Sequence, residues 1–248
     1  MKYKLIACKV FEHEVKRCLE GAPHQIETVF IDLGEHARPA ELRKKLQALA
    51  ADSEGFDAVL LCYGLCGRAT EGLRAGAAPI ILIRNHDCGG ILLGSRKRFE
   101  DIFKDMPSTP FSSIGYVESG SYFFDGGELV QGGDDWQHLV DEYGEEDARY
   151  VWDAMHPKLD GELQPIHFIS MPEIDSAAAR QKAKKNADKE GRKFKDLEGS
   201  IRLIKMLVNG DHPAEEFLTV RPGESIRQTG DWDEIIRVHR ESGMGNGE

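Results

Sequence analysis

The sequence predicts an α/β protein with a doubly wound, mostly parallel sheet of the flavodoxin-like or Rossmann-like kind. Almost wholly apolar runs, typical of strands that are buried on both faces of a sheet, recur through residues 1–105. Between these runs lie segments whose apolar residues have the spacing of amphipathic helices. The alternation of the two patterns is typical of a parallel sheet that is covered by helices.

The predicted elements of the first half follow from local patterns. Apolar residues at Phe11, Val15 and Cys18 form one face of a helix, and Pro39 lies near the first turn of the next. Gly64 ends the most apolar run. The predicted strands are residues 5–7, 26–33, 56–63 and 79–83. The predicted helices are residues 10–19, 39–50, 72–75 and 90–103.

The second half has a less regular pattern. Its predicted strands are residues 112–124, 166–171, 194–197 and 217–220. Its predicted helices are residues 134–155, 176–190 and 201–208. We therefore expect an α/β unit at 1–105 and a second α/β half, or a second small lobe, at 106–241. Residues 242–248 are expected to form a disordered tail.

Composition excludes several classes of function. The 248 residues have a net charge of −11, which disfavours nucleic acid as a partner. No apolar run reaches the roughly 18 residues of a membrane span, and the N-terminal residues do not resemble a signal peptide. We therefore expect a cytoplasmic protein with reduced cysteines. Five cysteines, an odd number, do not predict a disulfide framework.

Cysteines follow three of the predicted strands. Cys8 follows the first, Cys62 and Cys66 lie at the end of the third, and His86 and Cys88 follow the fourth. Because the carboxyl ends of parallel strands meet at one edge of a sheet, we expect these side chains to converge. Several thiols and an imidazole suit zinc, with iron or an iron–sulfur cluster as the alternative. Cys62 can equally belong to the core.

Other residues near this edge are candidates for supporting roles. Asp87 can orient His86, act as a ligand or take part in catalysis. Arg84 and Arg96 can hold an anionic substrate, although a solvated helix face explains Arg96 as well. Cys18, on the inner face of the first helix, is assigned to the core.

The loop around Cys66 has a second interpretation. Gly64 and Gly67 flank it before a helix, and exposed backbone N–H groups in such a loop can bind an anion. The same N–H groups would lower the pKa of Cys66. Cys66 is therefore a candidate nucleophile as well as a candidate ligand, with His86 as its base.

Four motifs resemble a prokaryotic family catalogued as domain of unknown function 1638 (DUF1638). They are IACKVFEHEV, LCYGLCG, RNHDCGGILLGSRKRFEDIF and EEDARYVWDAM. The resemblance implies a site formed by Cys8, Cys66, His86 and Cys88. Cys62 stands where members often have glycine, and Asn85 stands where alanine is usual.

The resemblance also implies a functional context, because such proteins accompany corrinoid-dependent methyltransferases. The first hypothesis is a metal-binding protein of one-carbon metabolism, with zinc favoured over iron, that activates a thiol or methyl acceptor. It would be a methyltransferase or an accessory protein, with the corrinoid on a partner. One alternative is a metallochaperone or an iron–sulfur redox partner. The other is a metal-free cysteine-nucleophile enzyme.

Overall fold

The computed structural model describes residues 1–34, 39–65, 68–105, 109–120, 140, 145, 164–229, 231 and 234–240. Its main sheet has five strands in the order β2-β1-β3-β4-β8. β8 runs antiparallel to β4, and the other neighbours are parallel. The strands of this sheet are β1 (Lys2–Cys8), β2 (Gln25–Ile31), β3 (Ala58–Cys62), β4 (Ile80–Ile83) and β8 (Phe217–Val220).

A second, parallel sheet has the order β5-β6-β7, and a third is an antiparallel hairpin of β9 and β10. Their strands are β5 (Phe111–Ser112), β6 (Ile166–Ser170), β7 (Phe194–Glu198), β9 (Glu224–Gln228) and β10 (Ile236–Arg240). The predicted α/β class with a mostly parallel sheet is therefore confirmed.

Helices cover both sheets. They are α1 (Glu12–Leu19), α2 (Pro39–Ala51), α3 (Cys88–Leu92), α4 (Arg96–Phe103), α5 (Ile114–Glu118), α6 (Ala177–Lys189) and α7 (Arg202–Asn209). A single 3₁₀ turn, Lys9–Phe11, joins β1 to α1. α1 packs against α7, which also contacts β3 and β4, so one face of the main sheet is closed by this helix pair.

The core follows from the apolar strands. Every residue of β3 and of β4 is buried, and so is most of β1. Leu5 of β1 stands beside Leu60 of β3, which stands beside Ile81 of β4. This row of branched side chains is typical of a sheet with both faces covered.

Some predicted elements are wrong. The helix predicted at 90–103 is two helices, because Gly94 has a φ of +69° and Ser95 caps α4 through Arg98 N. The strand predicted at 112–124 ends at Ser112, and α5 begins two residues later. Residues 72–75 form a turn and isolated bridges rather than a helix. The β9–β10 hairpin was not predicted.

Within the helix predicted at 134–155 the structure describes Val140 and Glu145, and both are helical; the rest of that stretch and the tail at 242–248 lie outside the described residues. Within the described part of the chain, no helix has the length and apolar character that crossing a membrane requires.

Candidate functional site

Three cysteines meet at the carboxyl edge of the main sheet. Cys8 ends β1, Cys62 ends β3, and Cys88 begins α3 directly after the loop that follows β4. All three are buried, and the side chains of Cys8 and Cys88 are hydrogen-bonded to each other. We call these three residues the thiol cluster. The predicted convergence of strand ends therefore holds for them.

The surroundings of the thiol cluster favour neutral thiols in the metal-free chain. The hydrogen bond to Cys88, followed by burial, raises the pKa of Cys8, while the backbone N–H of Val10 opposes the shift. Burial raises the pKa of Cys62, and Cys88 adds to it. A bound cation would reverse this balance, because it stabilises the thiolates that ligate it.

Close packing between two loops holds this edge together. A Cβ atom on Gly64 would lie 2.5 Å from the Cα and carbonyl carbon of Asp87, and 2.9 Å from the backbone nitrogen of Cys88. The Leu65 N–H donates to the carbonyl oxygen of His86 at 3.2 Å. The loop after β3 is thus in backbone contact with the loop that carries Cys88. Gly64, predicted to bind an anion, has this packing role in the structure.

Asp87 caps α3. Its carboxylate accepts hydrogen bonds from Gly89 N at 2.7 Å and from Gly90 N at 3.2 Å. Burial raises the pKa of Asp87 to about 7, with Cys88 adding to the shift and the two N–H groups opposing it. The cap fixes the backbone at Cys88, so Asp87 positions one member of the thiol cluster. Its predicted catalytic role stays a prediction.

His86 is half-buried beside the thiol cluster. Its ring stacks on Phe99 of α4, with 6.3 Å between the ring centroids. Burial lowers the pKa of His86, Glu100 opposes the shift, and Arg96 adds to it. A neutral imidazole is the form that ligates metals or accepts a proton. His86 thus stays a candidate for both predicted roles.

The two predicted anion-binding arginines have different surroundings. The Arg84 guanidinium donates to the carbonyl oxygens of Phe217, at 3.2 Å, and Ile236, at 2.7 Å. It therefore links β4 to β8 and β10. Arg96 lies at the start of α4, where its Nε is 3.9 Å from a carboxylate oxygen of Glu100. Anion binding by either residue stays a prediction.

Cys66 and Gly67, on which part of the predicted site depends, lie outside the described residues. Among the residues that are described, no group of three or more His, Cys, Asp and Glu side chains has an arrangement that could hold a metal ion. Cys8 and Cys88 form only a pair of such donors. A metal site here therefore requires a further ligand.

The structure adds a buried carboxyl group that the motif search missed. Glu14 of α1 is fully buried, and within the described residues no other residue forms a hydrogen bond with its carboxylate oxygens. Burial raises the pKa of Cys18 to about 12, and the nearby Glu14 adds to the shift. Burial likewise raises the pKa of Cys62, with a smaller contribution from Glu14. Glu14 lies four residues before Cys18, on the apolar face of the helix, and this position could have indicated from the sequence that its carboxyl group is buried. Cys18 itself is buried, as predicted.

The types of side chain at this edge are those that soft metal ions prefer, although the described residues bring together only the pair Cys8 and Cys88. Thiolates bind zinc and iron, and a half-buried imidazole and a carboxylate lie in the same loop as Cys88. The residues that would hold the ion are Cys8 and Cys88, together with Cys66, which lies outside the described residues, or with His86 or Cys62 after a change in their positions.

The fold and this edge define a class: a doubly wound α/β protein with buried cysteines where its parallel strands end. The family model described as "Protein of unknown function (DUF1638)" matches residues 30–208. The chain therefore belongs to the DUF1638 family, as its motifs indicated. None of the curated proteins that were compared with the chain matches it.

Proposed function

We propose that the protein binds a transition-metal ion, zinc in preference to iron, through Cys8 and Cys88 with Cys66 as a third ligand. The observation that supports this most is the contact between the thiols of Cys8 and Cys88, which come from two different strand ends. Two thiols in contact can bind the same ion with little rearrangement. His86, Cys62 or a bound ligand would complete a tetrahedral set.

The proposed activity is the activation of a thiol in methyl-group metabolism, as the DUF1638 resemblance suggests. A thiolate-ligated zinc ion keeps an incoming thiol in its nucleophilic, deprotonated form at neutral pH. The chain's own residues would position the ion and exclude water. Asp87 and Gly64 would help to position the ion, because they fix the backbone around Cys88.

Burial of the thiol cluster supports a resident metal over a metal in transit. A metallochaperone must release its ion to a partner, which favours exposed ligands, whereas Cys8 and Cys88 are 0% and 2% exposed. The raised pKa of Cys8 and of Cys62 argues against metal-free nucleophilic catalysis at these two thiols, because the nucleophile is the thiolate.

Elemental analysis of the full chain, purified without oxygen, tests the metal site. We expect about one equivalent of zinc in the wild type and a loss of at least tenfold in zinc affinity for Cys8→Ser and Cys88→Ser. Cys18→Ser is the matched control, because Cys18 is a buried cysteine of the adjacent helix α1, and it should keep its zinc.

Three results would overturn or redirect the proposal. Less than about a tenth of an equivalent of any transition metal in the wild type would overturn it. Equal metal content in wild type and Cys88→Ser would do the same. If the wild type contains one equivalent of iron and Cys88→Ser loses it, the metal of the proposal becomes iron and the ligands stay the same.

A further inference from the structure

Two arginines stand opposite each other on the β9–β10 hairpin. In the ladder of these two strands, Arg227 pairs directly with Arg237, and both residues are exposed. Directly opposed residues of an antiparallel pair lie on the same face with their Cβ atoms about 5 Å apart, and like charges in such a pair are destabilising. The stability of the hairpin therefore does not explain why two arginines occupy this pair of positions.

Two more basic residues lie on the same face. His239 stands opposite Ser225, two residues along each strand from the arginine pair. On the other side of Ser225, an isolated antiparallel bridge joins β9 to Arg74, which is exposed. Alternate residues of a strand share a face, and so do opposed residues of a bridge. We call Arg74, Arg227, Arg237 and His239 the basic face.

The basic face is the solvent side of the hairpin. Ile226 and Ile236, which lie on the opposite face because they alternate with the arginines, are 1% and 0% exposed. The hairpin therefore packs one face on the core and turns the other outward.

The arginine pair is not neutralised by the carboxylates of the described residues. The ion pair of this hairpin joins Arg240 to Glu224 at 3.0 Å, and these two residues belong to the alternate set of positions. Among the residues that the structure describes, no carboxylate forms an ion pair with Arg227 or Arg237. Two adjacent positive charges are thus available to a ligand.

Hydrogen bonds fix the basic face on the rest of the protein. The side-chain amide of Gln228 donates to the hydroxyl of Thr70 at 3.0 Å. The side chain of Gln47 bonds both backbone groups of Arg74, accepting from the nitrogen at 2.9 Å and donating to the oxygen at 3.1 Å. A surface that is already ordered loses little conformational freedom when it binds a partner.

We propose that the basic face docks an acidic segment of a partner protein. A guanidinium group binds a carboxylate through two parallel hydrogen bonds, and three of these groups on one face match carboxylates that are spaced along an extended chain. Arginine is also enriched in protein interfaces. The proposal concerns a surface that the metal site does not use, so it goes beyond the proposed function.

Charge and surface composition favour this partner over other polyanions. A nucleic acid or an anionic membrane would extend past the basic face over a molecule whose net charge is −11, whereas a short acidic segment meets the basic face alone. Single-stranded nucleic acids also stack on exposed aromatic rings, and Met1 is the only exposed large hydrophobic side chain among the described residues. A second copy placed by two-fold symmetry would bring one basic face against another.

Fluorescence anisotropy with the full chain and a fluorescein-labelled octaglutamate peptide tests the proposal. We expect binding at about 0.05 M salt that high salt abolishes. The double variant Arg227→Gln/Arg237→Gln should bind the peptide at least about tenfold more weakly. Lys185→Gln/Lys189→Gln is the matched control, because it removes the same charge from two exposed residues of α6 and should bind like the wild type.

Arg237→Glu separates binding from stability. It places a carboxylate opposite Arg227, so the melting temperature should rise by about 1 °C while peptide binding is lost. A melting temperature below that of the wild type would show that Arg237 stabilises the hairpin, and the proposal would lose its premise.

Four other results would overturn the proposal. The first is equal peptide binding by the wild type and the arginine double variant, and the second is an equal loss in the lysine control. The third is tighter binding of oligothymidylate or of phosphatidylserine vesicles that the arginine double variant loses, which would assign the face to a nucleic acid or a membrane. The fourth is a dimer in sedimentation that the same variant disrupts, which would assign it to a second copy.

Discussion

The thiols of Cys8 and Cys88 are hydrogen-bonded to each other, although one ends β1 and the other begins α3. The two residues meet because β3 alone separates β1 from β4 in the main sheet, so both strand ends lie at one edge. Gly64, in the loop after β3, lies against the backbone beside Cys88. The pair is thus a product of strand order and of one close backbone contact.

Gly64→Ala should destabilise the protein. Its new Cβ would overlap the backbone of Asp87 at 2.5 Å, which is not the flexible end of a side chain, so a loop must shift. We expect the free energy of unfolding in urea to fall by about 2 kcal/mol, with weaker zinc binding. Gly21→Ala is the control, because a Cβ there meets no atom within 4 Å. A stability equal to that of the control would contradict the packing role.

Asp87→Ala should cost about 1 kcal/mol of stability, because two N–H groups of α3 lose their acceptor. Asp87→Asn keeps a capping oxygen and should retain most of this stability. Thermal unfolding measures both. If zinc binding falls in Asp87→Ala and recovers in Asp87→Asn, Asp87 positions Cys88. If both variants lose zinc equally, Asp87 is itself a ligand.

Glu14 should give the stability of the metal-free protein a pH dependence. Its pKa is about 7 in the folded chain, against 4.5 for the free side chain, because of burial. The folded state therefore holds the proton more tightly, and the free energy of unfolding should fall as the pH rises from about 4.5 to about 7. The shift corresponds to a loss of about 3 kcal/mol by pH 8.

Glu14→Gln should remove the part of this dependence that comes from Glu14, leaving the part from Asp87, and should be more stable than the wild type at pH 8. Urea unfolding at several pH values would reveal both effects. Glu12→Gln is the control on the same helix, since Lys16 lowers the pKa of Glu12. Parallel pH profiles for Glu14→Gln and the wild type would show that Glu14 is not the group responsible.

Ser112→Ala and Ser113→Ala should each raise the stability of the protein by about 1 kcal/mol, because each removes a buried hydroxyl that has no partner among the described residues. Differential scanning calorimetry without added ligand measures the change. Ser119→Ala should change stability by less than about 0.5 kcal/mol. A loss of stability in both serine variants would mean that the hydroxyls have hydrogen-bond partners in solution.

The first half of the fold was predictable because its local patterns agree with its tertiary structure. The apolar runs that became β3 and β4 are buried on both faces, so their sequences contain almost no polar residue. Cysteines at the ends of such runs had to converge once the strands were parallel. Cys8, Cys62 and Cys88 were found in this way.

The packing of α5 against the turn after β1 was not predictable, because it depends on a contact between distant segments of the chain. Nothing near Gly115 in the sequence indicates that the carbonyl oxygen of Val10 lies against it. The two-residue strand β5 is likewise set by its pairing with β6 and has no periodicity of its own. The sequence alone therefore does not indicate that Ser112 and Ser113 are buried.

X-ray absorption at the zinc edge, on zinc-loaded wild-type protein, tests the central claim most directly. The account predicts at least two sulfur ligands at about 2.3 Å, with one fewer in Cys88→Ser. A zinc ion that has only nitrogen and oxygen ligands, or a sulfur count that Cys88→Ser leaves unchanged, would contradict it.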